Sequence, residues 1–512
     1  MQMTNNTNNT LIHQPGADLA EQASGLTPGL TQSLRDNGQR APDGDPSEDR
    51  FRLGDYLLRG PDYRQIRRWA ESLQMAPGVL LATLAETRLV THYQYGFEMI
   101  EFEVEDGAIV SLAWDFDRLP LLLTDWEPGL LIRRLGFFVD AWQQENFPFR
   151  PILPRLQILV CLRIGLESVD LSQVPGLSEF HCLNNQLTKL DLTPVPGLTR
   201  LDCRDNQLTV LDLTPGLKIL KCDDNQLTAL DLTPASGLTD LVCSCNQLTA
   251  LDLAPVPGLE TLKCDYNQLT TLDLTPAPGL KSLDCDCNQL TALDLTPGLT
   301  ALYCSENQLT RLDLSPSKEL STLICISNQL TALDLTPVPG LTTLDCRINQ
   351  LTRLDISPVK ELSSLRCRSN QLAALDLTPV PGLTRLDCCE NQLTALDLTP
   401  VPGLTWLECC DNQLTALDLT PVPGLTWLDC CDNQLTALDL TPVPKLYNLD
   451  CNGNQITALD LSPVPRLIWI KCHDNQLTRL DLSPVPGLER LWCDEDIKLI
   501  NKPANLGVDA GD

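Results

Sequence analysis

The amino-acid sequence predicts a solenoid, a fold in which short, similar coils stack on one another. Two observations lead to this prediction. The dipeptide Asn-Gln recurs from Asn185 to Asn475 with a spacing of 21 residues, apart from two spacings of 19 that end at Asn225 and Asn307. Apolar residues keep the same places within each repeat. Because a unit of this length cannot bury its apolar side alone, such units stack and share one continuous core.

One further unit stands at each end of this array. The first has Cys161 in the usual cysteine place but Ile164 in place of the asparagine, and the last has Cys493 with Asp496 in that place. Together they bring the count to 17 units. Terminal units that depart from the consensus are typical of the ends of a stacked array. At about 4.8 Å per coil, the array is expected to span about 80 Å.

A typical unit starts at Leu198 and reads LTRLDCRDNQLTVLDLTPG. Its first half, L-x-x-L-x-C-x-x-N-x-L, resembles the leucine-rich-repeat family, and within that family the 21-residue, cysteine-ladder type of internalin J-like bacterial surface proteins. The resemblance covers about residues 153–500. It implies a right-handed leucine-rich-repeat solenoid with a parallel β-sheet on the concave face. We find neither the export signal nor the wall anchor of those surface proteins in the sequence.

The alternation of residue types within the unit supports a short strand. In LTRLDC, Leu198, Leu201 and Cys203 are expected to point into the core. Arg200 and Asp202 are expected to face solvent. The second half of the unit again directs leucines inward. Its Thr-Pro and Pro-Gly steps favour an extended, polyproline-like return on the convex side, so we expect few helices here.

Two polar positions are expected to serve the turns. Asn206 lies where the chain leaves the strand, and its amide can both donate to and accept from open backbone groups. An aspartate in LDL or a near variant precedes the proline-containing turn in each unit from Asp170 to Asp481. It can accept backbone N–H groups as an Asx-turn. Calcium binding by these carboxylates is not expected, because the sequence lacks the glycine-rich nonapeptides of calcium-binding β-rolls.

Most cysteines belong to the core pattern. Of the 22 cysteines, 17 occupy one inward ladder position per unit, from Cys161 to Cys493. We expect buried free thiols there, since a free cysteine behaves as a small apolar side chain and burial makes it unreactive. Disulfides between neighbouring coils are the alternative, because adjacent coils approach the required Cα separation. The odd number of cysteines in one column and the missing export signal count against it.

Five cysteines lie off the ladder: Cys245, Cys287, Cys389, Cys410 and Cys431. The last three directly follow a ladder cysteine in three successive units, and we expect them to form a short, partly exposed column. Zinc requires ligands that converge tetrahedrally, which one thiol per coil does not supply. The sequence therefore predicts no metal site and no other cofactor, and this column is attributed to duplication of a unit.

Tryptophans mark one expected surface of the C-terminal units. They occupy outward places flanking the central leucine, beside charged residues, whereas the corresponding place in earlier units, from Thr261 to Ser364, is small and uncharged. Because tryptophan and arginine are enriched at interface hot spots, we predict a partner-binding strip there. Its members are Arg385, Trp406, Glu408, Trp427, Asp429, Asn448, Trp469, Lys471, Arg490 and Trp492. The alternative is that the tryptophans were copied with their units, which fits Trp406 and Trp427 better than Trp469 and Trp492.

Outside the repeats, the sequence divides into three parts. Residues 1–50 are rich in Asn, Thr, Gln, Gly and Pro and are expected to be a disordered leader. Residues 51–152 are expected to form a small α+β domain that caps the N-terminal end of the solenoid. Helices are predicted over 62–74, 79–90 and 129–142, with a hairpin around Asp106 and Gly107. Residues 501–512 are expected to be a C-terminal tail.

Composition and motifs argue against several classes of function. The formal net charge of −30 argues against nucleic acid as a partner, since phosphate binding needs clustered Lys and Arg. No apolar run approaches the roughly 20 residues of a membrane helix, so no membrane insertion is expected. The N-terminus resembles no standard signal peptide, and we expect a chain that is cytoplasmic or exported by a non-standard route. No nucleophile with a recognisable base partner is found, so no catalytic residue is predicted.

We therefore expect a monomeric, non-enzymatic scaffold that recognises a protein partner through the concave face of its C-terminal repeats. The alternative is a secreted bacterial effector or adhesin, in which the repeats target a host protein and the N-terminal domain acts.

Overall fold

A computed structural model describes residues 50–53, 56–74, 76–86, 102–105, 108–115, 134–138, 153, 155–502 and 506–510. The chain divides into two compact units, Met1–Cys182 and Leu183–Asp512, and each is described by itself. Apart from residue 50, the predicted leader lies outside the described residues. Within the described part, no helix has both the length and the apolar character needed to cross a membrane.

The first unit begins with a hairpin and two helices. Strand β1 (Arg50–Leu53) pairs antiparallel with β2 (Tyr56–Arg59), and helices α1 (Gly60–Ser72) and α2 (Pro77–Glu86) follow. Apolar side chains of both helices are buried, including Ile66, Trp69, Leu80 and Leu84. The two predicted helices are confirmed, but each begins two residues earlier than predicted and α1 ends two residues earlier, at Ser72. Residues 87–90 lie outside the described part.

The remaining described strands of the first unit form a sheet. The strands are β3 (Phe102–Glu105), β4 (Ala108–Asp115), β5 (Arg134–Phe138), β6 (Ile158–Leu162) and β7 (Glu179–His181). The predicted hairpin is confirmed by antiparallel pairing of β3 with β4, while its turn residues lie outside the described part. The predicted third helix is wrong, because β5 is a strand that pairs in parallel with both β4 and β6. Pairing on both sides outweighs a helical pattern that already contains a glycine.

The second unit is a parallel-strand solenoid in which each coil contributes one short strand to the main sheet. The strands are β8 Arg200–Asp202, β9 Ile219–Lys221, β10 Asp240–Val242, β11 Thr261–Lys263, β12 Ser282–Asp284, β13 Ala301–Tyr303, β14 Thr322–Ile324, β15 Thr343–Asp345, β16 Ser364–Arg366, β17 Arg385–Asp387, β18 Trp406–Glu408, β19 Trp427–Asp429, β20 Asn448–Asp450, β21 Trp469–Lys471, β22 Arg479–Asp481, β23 Arg490–Cys493, β24 Lys498–Ile500 and β25 Gly507–Ala510. Neighbouring coils pair in parallel from β8 to β21, and β23 and β25 continue this sheet. Strands β22 and β24 form a separate parallel pair. The helical content described in this unit is one 3₁₀ turn, Thr233–Ala235.

The core of the coils follows the predicted pattern. Leu198, Leu201 and Cys203 are fully buried, and the same positions are buried coil after coil. The ladder cysteines are buried free thiols, and burial raises the pKa of a thiol such as that of Cys243. One expectation is wrong: Asp202 is only 1% exposed. The guanidinium of Arg204 lies against this carboxylate, with nitrogen–oxygen distances of 2.8 and 2.7 Å.

An asparagine ladder connects the coils, as predicted. In a central coil the Asn328 side-chain amide donates to the carbonyl of Cys304 at 2.9 Å and to that of Ile326 at 3.2 Å. Its oxygen accepts from the backbone N–H of Leu309 in the preceding coil at 2.9 Å. The Asx-turns are also confirmed, since aspartates such as Asp334 accept a backbone N–H two residues later at 2.9 Å. These bonds satisfy buried backbone groups and hold each coil to its neighbour.

Candidate functional site

The predicted strip lies on the solvent-facing side of strands β17 to β23. Parallel, in-register pairing places equivalent residues of successive coils beside one another. One column holds Arg385, Trp406, Trp427, Asn448, Trp469 and Arg490, and the next column holds Asp387, Glu408, Asp429, Asp450, Lys471 and Trp492. The structure therefore brings all ten predicted residues onto one face. Arg490 is exposed and the other nine are half-buried.

The four indole rings of this face form a stack. The rings of Trp406 and Trp427 lie 4.1 Å apart between centroids at an interplanar angle of 7°. The rings of Trp427 and Trp469 are 6.3 Å apart at 20°, although the coil of Asn448 lies between them. Their backbones are two coils apart, about 9.6 Å, so the rings lean toward each other across that coil. Trp492 continues the stack with a tilted ring 5.2 Å from Trp469.

Cations contact the stack at both ends. The guanidinium carbon of Arg385 lies 4.4 Å from the ring centroid of Trp406. Lys471 Nζ lies 4.9 Å from the Trp469 centroid and 5.9 Å from that of Trp492. These are cation–π distances. We call this set, Arg385, Trp406, Trp427, Trp469, Lys471 and Trp492, the aromatic strip.

The aromatic strip contains polar atoms that the fold leaves unsatisfied. Within the described part of the chain, the indole Nε1 of Trp406 and the Nε of Arg385 are buried without a hydrogen-bond partner. A buried donor without an acceptor costs about 1–3 kcal/mol. Both donors belong to the contact between Arg385 and Trp406 at the N-terminal end of the stack.

Carboxylates line the strip along its second column. Asp387 and Asp450 are buried, at 3% and 7% exposure, and Glu408 and Asp429 are half-buried between them. Burial, together with the neighbouring charge of Asp450, raises the pKa of the Asp429 carboxyl to about 6. Lys471 Nζ lies 3.3 Å from a carboxylate oxygen of Asp450, at the C-terminal end of the column. The face thus combines a flat aromatic surface with an acidic margin.

The off-ladder thiols differ from expectation. Cys389 and Cys410 are buried, at 0% and 3% exposure, rather than partly exposed, and Cys431 is half-buried as expected. The backbone N–H of Cys410 donates to the sulfur of Cys389 at 3.0 Å. Sequence reasoning treated the thiols as an isolated column and missed the carboxylate of Asp429 beside them. The signal was present, since the acidic place stands two residues before the thiol in each of these units.

A second feature of the sheet face lies on the first coils of the second unit. A shallow cavity of about 600 Å³ is lined there by charged residues of both signs, among them Arg204, Lys221, Asp223 and Lys263. Burial raises the pKa of Asp223 to about 7, although Arg204 acts in the opposite direction. The mixed charges partly pair with one another, and Arg204 lies 3.8 Å from Asp223. Sequence reasoning missed this cavity because the residue types at these repeated positions change from coil to coil.

Similarity to solved structures agrees with this architecture. The functional domain of InlJ from Listeria monocytogenes, which includes a cysteine ladder, is 34% identical with a TM-score of 0.50; the match covers 64% of this chain and 65% of that domain. YopM from Yersinia enterocolitica is 31% identical with a TM-score of 0.67, over 78% of this chain and 86% of YopM. A leucine-rich-repeat protein of Leptospira interrogans, 23% identical with a TM-score of 0.59 over 70% and 95% of the two chains, shares the fold. No family profile and no curated protein matches the chain.

Proposed function

Because the chain belongs to the leucine-rich-repeat proteins, with the cysteine ladder of that fold, we propose that it is a non-enzymatic scaffold that recognises a protein partner. The binding surface proposed is the sheet face of the C-terminal coils, formed by the aromatic strip with Glu408, Asp429, Asn448 and Arg490. The observation that carries the proposal is the stack of four indoles on the sheet face of the C-terminal coils. The equivalent positions of the central coils hold small residues. Solenoids commonly use their extended sheet face for binding.

The geometry of the strip suits protein recognition. Tryptophan and arginine carry a large share of the binding energy at interface hot spots. The rings are already held by stacking on one another and by the cation of Arg385, so few side-chain rotations remain to be lost when a partner binds. A preorganised aromatic surface of this kind offers affinity without a large rearrangement.

The acidic margin of the aromatic strip indicates which side chains a partner would carry at the interface. Glu408 and Asp429 run beside the rings, and the whole chain carries a formal charge of −30. A partner segment with apolar side chains for the rings and Lys or Arg for the margin complements this surface, since opposite charges across an interface favour association and orient the partner.

The test is affinity capture with three forms of the full chain. The first is wild type, the second carries Trp406→Ala, Trp427→Ala and Trp469→Ala, and the third is a control with Thr322→Ala, Thr343→Ala and Ser364→Ala in the same column of the central coils. Captures are made from the native lysate and from candidate host extract, after circular dichroism has shown equal folding. We expect one partner on wild type and control, and a loss of about 10-fold or more on the tryptophan variant.

The partner identified in this way is then titrated against the three purified forms, with indole fluorescence as the readout. Binding that perturbs the fluorescence of wild type supports the proposal. Equal affinity of wild type and the tryptophan variant overturns it.

A further inference from the structure

A cluster of thiols and carboxylates lies just beyond the C-terminal ends of strands β17 to β19. The sulfurs of Cys389 and Cys410 and a carboxylate oxygen of Asp429 all lie within 4.8 Å of one another. Cys431 extends the cluster, since its sulfur lies within 4.8 Å of the Cys410 sulfur and of an Asp429 oxygen. We propose that Cys389, Cys410 and Asp429 form a binding site for a divalent cation that prefers thiolate ligands, in the first place Zn²⁺.

The ligand set fits this cation. Zinc binds cysteine sulfur at about 2.3 Å and carboxylate oxygen at about 2.0–2.2 Å in a tetrahedral arrangement. One thiol per coil gives only a line of sulfurs spaced by about 4.8 Å. The aspartate comes from the neighbouring column, so the three donor atoms form a triangle rather than a line. Small side-chain rotations bring them to one ion, and a fourth position is left for solvent.

The local charges favour a cation here. Among the described residues Asp429 forms no ion pair, and its carboxylate accepts the backbone N–H of Cys431 at 3.1 Å. Glu408 and Asp450 flank it along the column. Lys471 contacts Asp450 rather than Asp429. A divalent cation would neutralise the middle of this acidic column, where no ion pair with a positive side chain is found among the described residues.

The thiols are arranged to act as ligands. The backbone N–H of Cys410 donates to the sulfur of Cys389, a bond that stabilises a thiolate. An ordinary cysteine thiol has a pKa of about 8.5, so both thiols hold their protons at neutral pH when no cation is bound. The cation therefore replaces two thiol protons, which pass to solvent, and forms two metal–sulfur bonds while Asp429 binds as a carboxylate.

The central coils show how the same places look without such a cluster. There Asp345, in the carboxylate column, is held by Arg347 at 2.8 Å and by Arg366 at 3.4 Å. The chain provides its own cations at that point. Where cysteines replace arginine in the C-terminal coils, the carboxylate loses that partner and gains thiols.

The experiment uses the full chain, freed of metal by a chelator and kept reduced. Cd²⁺ is the first probe, because its bonds to thiolates give an ultraviolet charge-transfer band, and Zn²⁺ binding is measured by calorimetry in two buffers to count released protons. A double variant, Cys389→Ser with Cys410→Ser, is compared with a control, Cys245→Ser with Cys287→Ser. Serine is suitable because it already stands in this thiol column at Ser244 and Ser305.

We expect wild type and control to bind one equivalent of Cd²⁺ with the thiolate band, and to release two protons for each Zn²⁺ bound. The double variant should lose the band and bind about 100-fold more weakly or worse. A wild type without saturable binding, or a band that persists in the double variant, overturns the site. Asp429→Asn, which leaves both thiols in place, should keep the band but weaken binding by about 10-fold; unchanged affinity in this variant removes Asp429 from the site.

Discussion

Two stretches of one sheet, the central coils and the C-terminal coils, share a backbone and differ in their faces. The Asn328 amide donates to the Cys304 carbonyl at 2.9 Å, and its counterpart Asn412 donates to the Cys388 carbonyl at 3.0 Å. The strands on either side have equal length and the same parallel register. On the outward column, however, the central coils carry threonine, serine and alanine, whereas the C-terminal coils carry the indole stack.

This difference separates what folds the chain from what the folded chain can do. The buried leucines, cysteines and asparagines repeat without regard to position along the solenoid, because every coil must meet the next in the same way. The side chains on the sheet face are not needed for this stacking, since the central coils fold with small residues at the same positions. Substitutions of buried core residues should therefore lower the free energy of unfolding equally in both regions. Substitutions on the sheet face should have different effects in the two regions.

The largest expected effect is loss of a core leucine. Leu323 and Leu407 are the fully buried central residues of β14 and β18. Replacing either by alanine removes buried apolar surface and leaves a cavity, so each change should lower the free energy of unfolding by about 3 kcal/mol. Urea denaturation measures this, with the half-exposed Thr322→Ala as a control that should stay within about 0.5 kcal/mol of wild type. A clearly smaller loss for Leu407→Ala would mean that the two regions do not share one scaffold.

The asparagine ladder should give the next largest effect, again equal in both regions. Asn328→Ala and Asn412→Ala each leave a backbone N–H and several carbonyls without their partner. Each should lower the free energy of unfolding by about 2 kcal/mol, because unsatisfied buried polar groups keep their full desolvation cost. The exposed neighbour Gln329→Ala serves as control in the same denaturation experiment. If the asparagine variants match this control, the ladder bonds do not stabilise the fold.

The scaffold was predictable from sequence because repetition over-determines it. A single leucine or asparagine says little, but the same residue at one place in unit after unit fixes which side is buried and where the chain turns. In-register stacking then places face residues in columns without further information. For that reason the neighbours of Trp406 and Trp427 on the sheet face were foreseen correctly.

The predictions from sequence were wrong or incomplete where the repeat gives no information. The segment around Gly136 occurs once, and a short apolar run reads equally well as helix or strand until its pairing partners are known. Asp202 is buried because Arg204, two residues on, folds back over it, a contact between side chains that alternation does not reveal. The proximity of Asp429 to Cys410 likewise depends on two columns meeting at the strand ends. Contacts between side chains of one column can be predicted from the repeat alone, whereas contacts between side chains of different columns cannot.

The stacked indoles should contribute a smaller coupling energy, and the same coupling should appear when such a pair is introduced in the central coils. In a double-mutant cycle, Trp406→Ala and Trp427→Ala should show a coupling of about 1 kcal/mol, the usual size for a stacked aromatic pair. Thr322 and Thr343 face each other in the same register in the central coils. Thr322→Trp with Thr343→Trp should therefore create a similar coupling there, together with an exciton signal in circular dichroism. A grafted pair without coupling would show that the C-terminal coils differ from the central ones in more than their side chains.

The smallest expected effect is a difference in pH dependence between the two regions. Burial and the charge of Asp450 raise the folded-state pKa of Asp429 from its ordinary value of 3.8 to about 6. The folded chain therefore takes up this proton at higher pH than the unfolded chain. The destabilisation caused by the charged Asp429 should be relieved as pH falls from about 7, and the relief should be complete at about pH 3, below the unfolded pKa.

Replacing this carboxylate tests the sign directly. With chelator present, Asp429→Asn should raise the free energy of unfolding at pH 7 by about 1 kcal/mol, a value reduced from the full shift because the side chain is partly solvated, and the gain should vanish at about pH 3. Asp345→Asn in the central coils should act in the opposite direction at pH 7, because it removes the partner of Arg347 and Arg366. Urea midpoints at both pH values give the comparison. Equal and destabilising effects of both variants at pH 7 would mean that Asp429 has a cationic partner after all, and that the acidic column is balanced from within the chain.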